Sequence, residues 1–107
     1  MPLVDVYSVE QFRNIVNEHT LTVAWFTALW CGPCKSIERP MERIVYDFPE
    51  VTFAKVDADN NSEIASKCKV MQLPTFMVVR NGKMLGHVIG ANLEVLKQKI
   101  RDVSKQG

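Results

Sequence analysis

The hydrophobic positions of this chain change period several times along its length, and the changes mark out alternating strands and helices. Leu3 to Val6 is a short apolar run of strand type. Ser8-Val9-Glu10-Gln11 has the form of a capping box, and Val9, Phe12, Ile15 and Val16 fall on one helical face behind it. Leu21 to Thr27 is rich in β-branched and aromatic residues on both faces, which predicts a central strand covered on both sides. From Cys34 the period is helical again: Ile37, Met41, Ile44, Val45 and Phe48 form one stripe, and Pro49 stops it. Val51 to Val56 predicts another strand, and Asn60 or Asn61 can cap a short helix that buries Ile64, Ala65 and Cys68. Thr75 to Val79 and Lys83 to Ile89 flank Arg80-Asn81-Gly82, a hairpin signal that makes these strands antiparallel. Asn92 caps a last helix with Leu93, Leu96, Ile100 and Val103 facing inward. The order βαβαβαββα predicts an α/β fold, a mixed sheet with helices on both faces.

No repeat, low-complexity tract or Pro/Gly/Ser-rich linker interrupts the pattern, so residues 1–107 are expected to form a single domain. The 47% hydrophobic content is enough for one core. The formal charge of +1 comes from mixed acidic and basic residues without a basic block, so neither nucleic acid nor a membrane surface is an expected partner. The longest mainly apolar stretch, Leu21 to Leu29, is too short to cross a bilayer. Met1 to Asp5 lacks the marks of a signal or transit segment, so a reducing, cytoplasmic setting is the expectation. Three cysteines are too few for a disulfide-stapled framework and point to chemistry at one pair. Asn60-Asn61-Ser62 matches a glycosylation acceptor in form and is read as a loop and helix cap.

That pair is Cys31 and Cys34 in Trp30-Cys31-Gly32-Pro33-Cys34, where a buried strand gives way to a helix. Disulfide exchange needs a thiolate that attacks a substrate disulfide and a second thiol that attacks the mixed disulfide. At the start of a helix, free amide groups favour an anionic sulfur, so the Cys31 thiol is expected to ionise more readily than a free one. Pro33 lacks an amide proton that the first turn would leave unpaired, and Gly32 lets a substrate backbone come close. The motif has two other readings. Zinc would need a second half-site, and Cys68, His19 and His87 do not form one. An inert buried thiol pair fits the strand-to-helix context less well than a redox pair.

With Trp-Cys-Gly-Pro-Cys-Lys at 30 to 35, Leu73-Pro74-Thr75 before the hairpin and Gly90-Ala91 after it, the chain resembles the thioredoxin family from end to end. The resemblance implies a thioredoxin fold, a five-stranded mixed β-sheet flanked by four α-helices. It implies Cys31 as the exposed nucleophile, Cys34 as the buried resolving thiol, and Pro74 as a cis-proline facing them. Trp30, Gly32, Pro33, Leu73, Pro74, Gly90 and Ala91 would form the substrate-docking surface, with the Leu73 backbone pairing with an extended peptide. The Gly-Pro dipeptide is that of the family's reductants. A flavoprotein thioredoxin reductase using NADPH would restore the dithiol, and peroxiredoxin or ribonucleotide reductase would be protein substrates. The chain has no phosphate-cradling Gly-rich loop, so no cofactor of its own is expected. The expected working form is a monomer.

The sequence departs from the family pattern at two places. Where thioredoxins bury an aspartate five residues before the motif tryptophan, this chain has Trp25, which leaves Lys55 without its usual buried partner. Lys55 is therefore expected to reach for solvent or to lose its charge more easily. Cys34 would then lose its proton to water or to the outgoing thiolate, although Trp25 chosen for packing alone is an equal alternative. Pro40 also stands six residues after Cys34 where the family proline stands five after. Cys68 is expected to be structural, a regulatory thiol being the alternative, and His19 and His87 are expected on the surface. Two other functional classes stay open: a scaffold in which the cysteines matter little, and a disulfide isomerase or oxidase.

Overall fold

The computed structural model describes residues 3–18 and 20–105. In chain order its elements are β1 (Leu3–Asp5), α1 (Val9–Val16), β2 (Leu21–Thr27), α2 (Gly32–Ser36), α3 (Glu38–Asp47), β3 (Thr52–Asp57), α4 (Ser62–Lys67), β4 (Thr75–Arg80), β5 (Lys83–Ile89) and α5 (Leu93–Ser104). The sheet order is β1-β3-β2-β4-β5. Strands β1, β3 and β2 are parallel neighbours, while β4 runs antiparallel to both β2 and β5.

Every residue of β2 is buried, as its two-sided apolar character requires. Its side chains alternate between two cores. Leu21, Val23 and Trp25 pack with Met41 and Ile44 of α3 and Leu96, Ile100 and Val103 of α5. Ala24 and Phe26 point the other way, to Phe12 and Ile15 of α1 and Ile64 and Ala65 of α4. The hairpin forms where Asn81-Gly82 places it: φ is +52° at Asn81 and +77° at Gly82, the left-handed pair that matches strand twist.

Local chemistry explains three differences from the sequence reading. The single helix expected after Cys34 is two helices, α2 and α3, which meet at Ile37 with φ −103° and ψ 0°. Pro40 has no amide proton to give the Ser36 carbonyl, so the hydrogen-bond ladder cannot run through this point. Ser8 does cap α1, its side chain accepting the Gln11 N–H, but the Gln11 side chain accepts from Tyr7 N at 2.6 Å instead of closing the box on Ser8. Asn61 stands at the cap position of α4 without capping it; its side-chain amide donates to the carbonyls of Val6 at 3.2 Å and Asp57 at 3.1 Å, pinning α4 to the sheet.

Helix α4 ends in a Schellman turn. Lys69 N donates to Ser66 O at 3.0 Å and Val70 N to Ala65 O at 2.9 Å, with Lys69 in the left-handed region at φ +58°. That conformation costs a side-chain-bearing residue roughly 1 kcal/mol, which glycine does not incur. Lys69→Gly should therefore raise the urea midpoint, through a gain of about 0.5 kcal/mol in unfolding free energy once the freer unfolded chain is counted. A lower midpoint would show that the lysine side chain stabilises the turn more than its backbone strains it.

Candidate active site

Cys31 and Cys34 are joined by a disulfide, their Cα atoms 5.2 Å apart. The bridge sits just beyond the C-terminal end of β2. A turn closed by Cys31 N donating to Ala28 O at 3.3 Å carries the chain from the strand into α2. Cys31 keeps an extended backbone and caps that helix with its own sulfur, which accepts the Cys34 N–H at 3.2 Å. Pro33 occupies the first turn, where a missing amide proton costs nothing. An N–H aimed at Cys31 Sγ favours negative charge on that sulfur, and among the described residues no other sulfur receives one.

The two cysteines differ in access. Cys31 lines a cleft of about 460 Å³ together with Trp30, Gly32, Pro33, Ala58, Ala65, Val70, Met71, Gln72 and Leu73, and Cys34 does not. The expectation of an exposed Cys31 needs correcting, because the residue is only 4% exposed against 1% for Cys34. Leu73 and Ala28 pack over the bridge, leaving the cleft as the approach to the first sulfur.

Of the docking residues read from the sequence, Trp30, Gly32, Pro33 and Leu73 line this cleft, while Pro74, Gly90 and Ala91 do not line it. The Leu73–Pro74 peptide is cis, and Cys31 Sγ lies 3.7 Å from the Leu73 carbonyl oxygen. Gly90 N donates to Pro74 O at 2.8 Å, which ties Gly90-Ala91 to the proline, and the Gly90 φ of +96° excludes a side chain there without strain. Trp30 is largely exposed, and its indole N–H donates to Asp59 Oδ2 at 2.7 Å. Asp59 is in turn set by Asp57 Oδ1, which accepts the amides of Asp59 at 2.9 Å and Asn60 at 3.3 Å. The sequence reading missed Asp59. The polar run Asp57 to Asn60 marks a turn, but nothing in it points to a tryptophan 29 positions earlier.

Trp25 and Lys55 lie on the sheet face covered by α3, where Trp25 shares a core with Ile37 at the end of α2 and Lys55 reaches Glu38. Trp25 is buried and stacks on Phe76 with centroids 6.4 Å apart, while Cys34 packs with Ala28, Cys31 and Leu73. Lys55 is not left without a partner. Its Nζ lies 5.0 Å from the Trp25 ring centroid and 3.7 Å from Glu38 Oε2. The tryptophan that removes the carboxylate thus supplies a cation–π face, and α3 supplies a half-exposed carboxylate that adds little more.

Comparison with known proteins decides the family. The thioredoxin family model matches residues 3–102. The chain belongs to the thioredoxin family. A crystal structure of thioredoxin from Trypanosoma brucei brucei is 75% identical, with a TM-score of 0.95 over 96% of this chain and 91% of that one. Thioredoxin-3, mitochondrial, of Saccharomyces cerevisiae is 35% identical over 96 residues, which are 90% of this chain and 76% of the yeast protein. A chain from work on thiol resolution in yeast mitochondrial 1-Cys peroxiredoxin via glutathione/thioredoxin systems is 33% identical, with a TM-score of 0.89 and 94% of each chain covered. The protein is accordingly a thioredoxin-type protein-disulfide oxidoreductase whose redox pair is Cys31 and Cys34. Its fold is the family's, with the helix after the cysteines divided in two.

The remaining candidates stand apart from the bridge. His87 is exposed on β5, and His19 lies outside the described residues. Cys68 is a free thiol at the C-cap of α4. It is half-buried, and burial pushes its thiol above the ordinary range because the charged form loses solvation. In a Cys31→Ser/Cys34→Ser variant, Cys68 should therefore react slowly with a thiol reagent at neutral pH and accelerate only as the pH rises past that of an unhindered thiol. A rate that levels off at or below the free-thiol range would contradict this.

Proposed function

We propose that this thioredoxin-family chain works as the reductant in a dithiol cycle, passing two electrons to disulfide-bearing proteins. The observation that carries the reading is the asymmetry of the pair: Cys31 lines the cleft and receives the Cys34 N–H, while Cys34 is sealed behind it. In the reduced protein the Cys31 thiolate attacks one sulfur of a substrate disulfide. The substrate S–S bond breaks, and its other sulfur leaves as a thiolate that takes up a proton. Cys34 then gives up its proton and attacks Cys31 Sγ; the mixed disulfide breaks, the second substrate sulfur leaves as a thiol, and the Cys31–Cys34 bridge remains. Two electrons and two protons have passed to the substrate.

The position where thioredoxins bury an aspartate is Trp25 in this chain, whose indole offers no proton acceptor. This supports water or the outgoing thiolate as the acceptor of the Cys34 proton, with Trp25 and Lys55 acting on that step only through packing. Trp30, Gly32, Pro33, Leu73, Pro74, Gly90 and Ala91 form the docking rim, and the Leu73 backbone beside Cys31 suits pairing with an extended substrate segment. The chain carries no cofactor of its own; an NADPH-dependent thioredoxin reductase returns it to the dithiol. Peroxiredoxin and ribonucleotide reductase are the substrate types put forward, the former supported by the yeast relative studied with a peroxiredoxin. The working form is a monomer in a reducing compartment, the cytosol, a setting that an unpaired Cys68 suits.

Insulin reduction driven by NADPH and thioredoxin reductase tests the cycle. Cys34→Ser should accumulate a mixed disulfide through Cys31 and lose turnover, and Cys31→Ser should fall to the rate without added protein. Trapping through position 34, or turnover that survives in Cys31→Ser/Cys34→Ser, would overturn the reading.

A further inference from the structure

We propose that an apolar groove between the end of α4 and the β4–β5 hairpin is a second docking subsite for oxidised protein substrates. Its occupant is one apolar side chain, flanked by carboxylates, on the substrate segment that carries the attacked cysteine. The proposal rests on the disulfide-reductase reading above.

The groove exists because one face of the sheet is incompletely covered. Helices α1 and α4 pack over the β1-β3-β2 side, but α4 ends at Lys67 and the chain turns away at Lys69. Among the described residues, no helix covers this face towards the β5 edge. The cross-strand pairs Thr75↔Ile89, Met77↔His87 and Val79↔Met84 share this face, and the register shift at Val78/Val79 keeps both Met84 and His87 on it. Met77 forms a buried floor. Met84 and Ile89 remain 51% and 55% exposed and Met71 94% exposed, and the space they enclose with Cys68 and Val70 is about 300 Å³.

Continuity with the active-site cleft identifies the occupant. Val70, Met71 and Gln72 line both spaces, and the next two residues are Leu73 and Pro74 beside Cys31. Thr75 and Ile89 lie one step beyond the Pro74–Gly90 hydrogen bond that closes the docking rim. An extended segment laid along residues 72–74 advances about 3.3 Å per residue, so a side chain a few positions from its cysteine comes over the groove. The lining fits an apolar group of variable shape, since Met71, Met77 and Met84 present unbranched thioethers that repack easily. Lys69 and His87 are the only ionisable side chains in the lining besides Cys68, and no carboxylate is present, which favours acidic neighbours on the partner. A small disulfide cannot span both spaces, so the groove would separate protein substrates from low-mass ones.

Synthetic peptides test this directly. Each carries one cysteine as its mixed disulfide with thionitrobenzoate, and either leucine or serine two to five residues from it on either side. Thionitrobenzoate release by excess reduced protein is followed in single turnover. One placement of leucine should strengthen apparent binding roughly ten-fold over serine with the limiting rate unchanged. An adjacent aspartate should add a few-fold that fades with salt and in Lys69→Gln. The leucine advantage should vanish in Met84→Gln and in Ile89→Thr, both at exposed positions where the fold tolerates change. Reduction of free dithiobis-nitrobenzoate should be the same in all variants. The proposal is overturned if no placement of leucine matters, or if the advantage survives both substitutions. It is equally overturned if the groove instead holds a second copy of the chain, seen as a concentration-dependent dimer lost in Met84→Gln. Failure of the unsubstituted protein to reduce dithiobis-nitrobenzoate would instead overturn the reductase reading itself.

Discussion

One short interaction governs the site: the Cys34 amide donates to Cys31 Sγ at 3.2 Å, so the first cysteine caps the helix that carries the second. A serine or aspartate in that position would satisfy the same orphan amide, but only sulfur does so while remaining free to exchange bonds. The cap depends on its surroundings. Burial of every residue of β2 fixes where the strand ends, and Pro33 stiffens the first turn. The break at Ile37 lets α2 be a short local support for the two sulfurs, while α3 carries the core packing. Local amide geometry, more than a long helix dipole, thus makes the two cysteines unequal.

Sheet order brings the distant parts of the site together. Because β4 lies antiparallel beside β2, the start of β4 meets the end of β2, which sets Leu73-Pro74 against Cys31. Because β5 pairs with β4, its end returns Gly90-Ala91 to the same rim. The bulged hairpin then extends the apolar surface from that rim onto the open sheet face. The meeting of the two sulfurs, the Leu73 carbonyl and the Gly90 amide therefore follows from one topological arrangement.

Elements governed by local chemistry were legible in the sequence. Leu21–Thr27 and Lys83–Ile89 have the expected bounds, because a run of buried residues and an Asn-Gly turn determine them without outside help. The cysteine pair was legible for the same reason. What escaped depended on partners far along the chain. Asn61 has the composition of a cap but donates to Val6, 55 residues away, and Asp59 orients Trp30 across 29 residues. The partners of Lys55 escape the sequence because the face of Trp25 and the reach of Glu38 depend on how α3 lies across the sheet. The low exposure of Cys31 likewise depends on Leu73 folding back over it.

The claim that the Cys34 amide singles out one sulfur is tested most directly by timed alkylation of the fully reduced protein near neutral pH, with the modified residue located by mass spectrometry. Cys31 should be modified first and much faster than Cys34 or Cys68, and disulfide-reducing activity should fall in step with that single modification. Earlier modification of Cys34 or Cys68, or activity that outlasts complete alkylation of Cys31, would contradict the account.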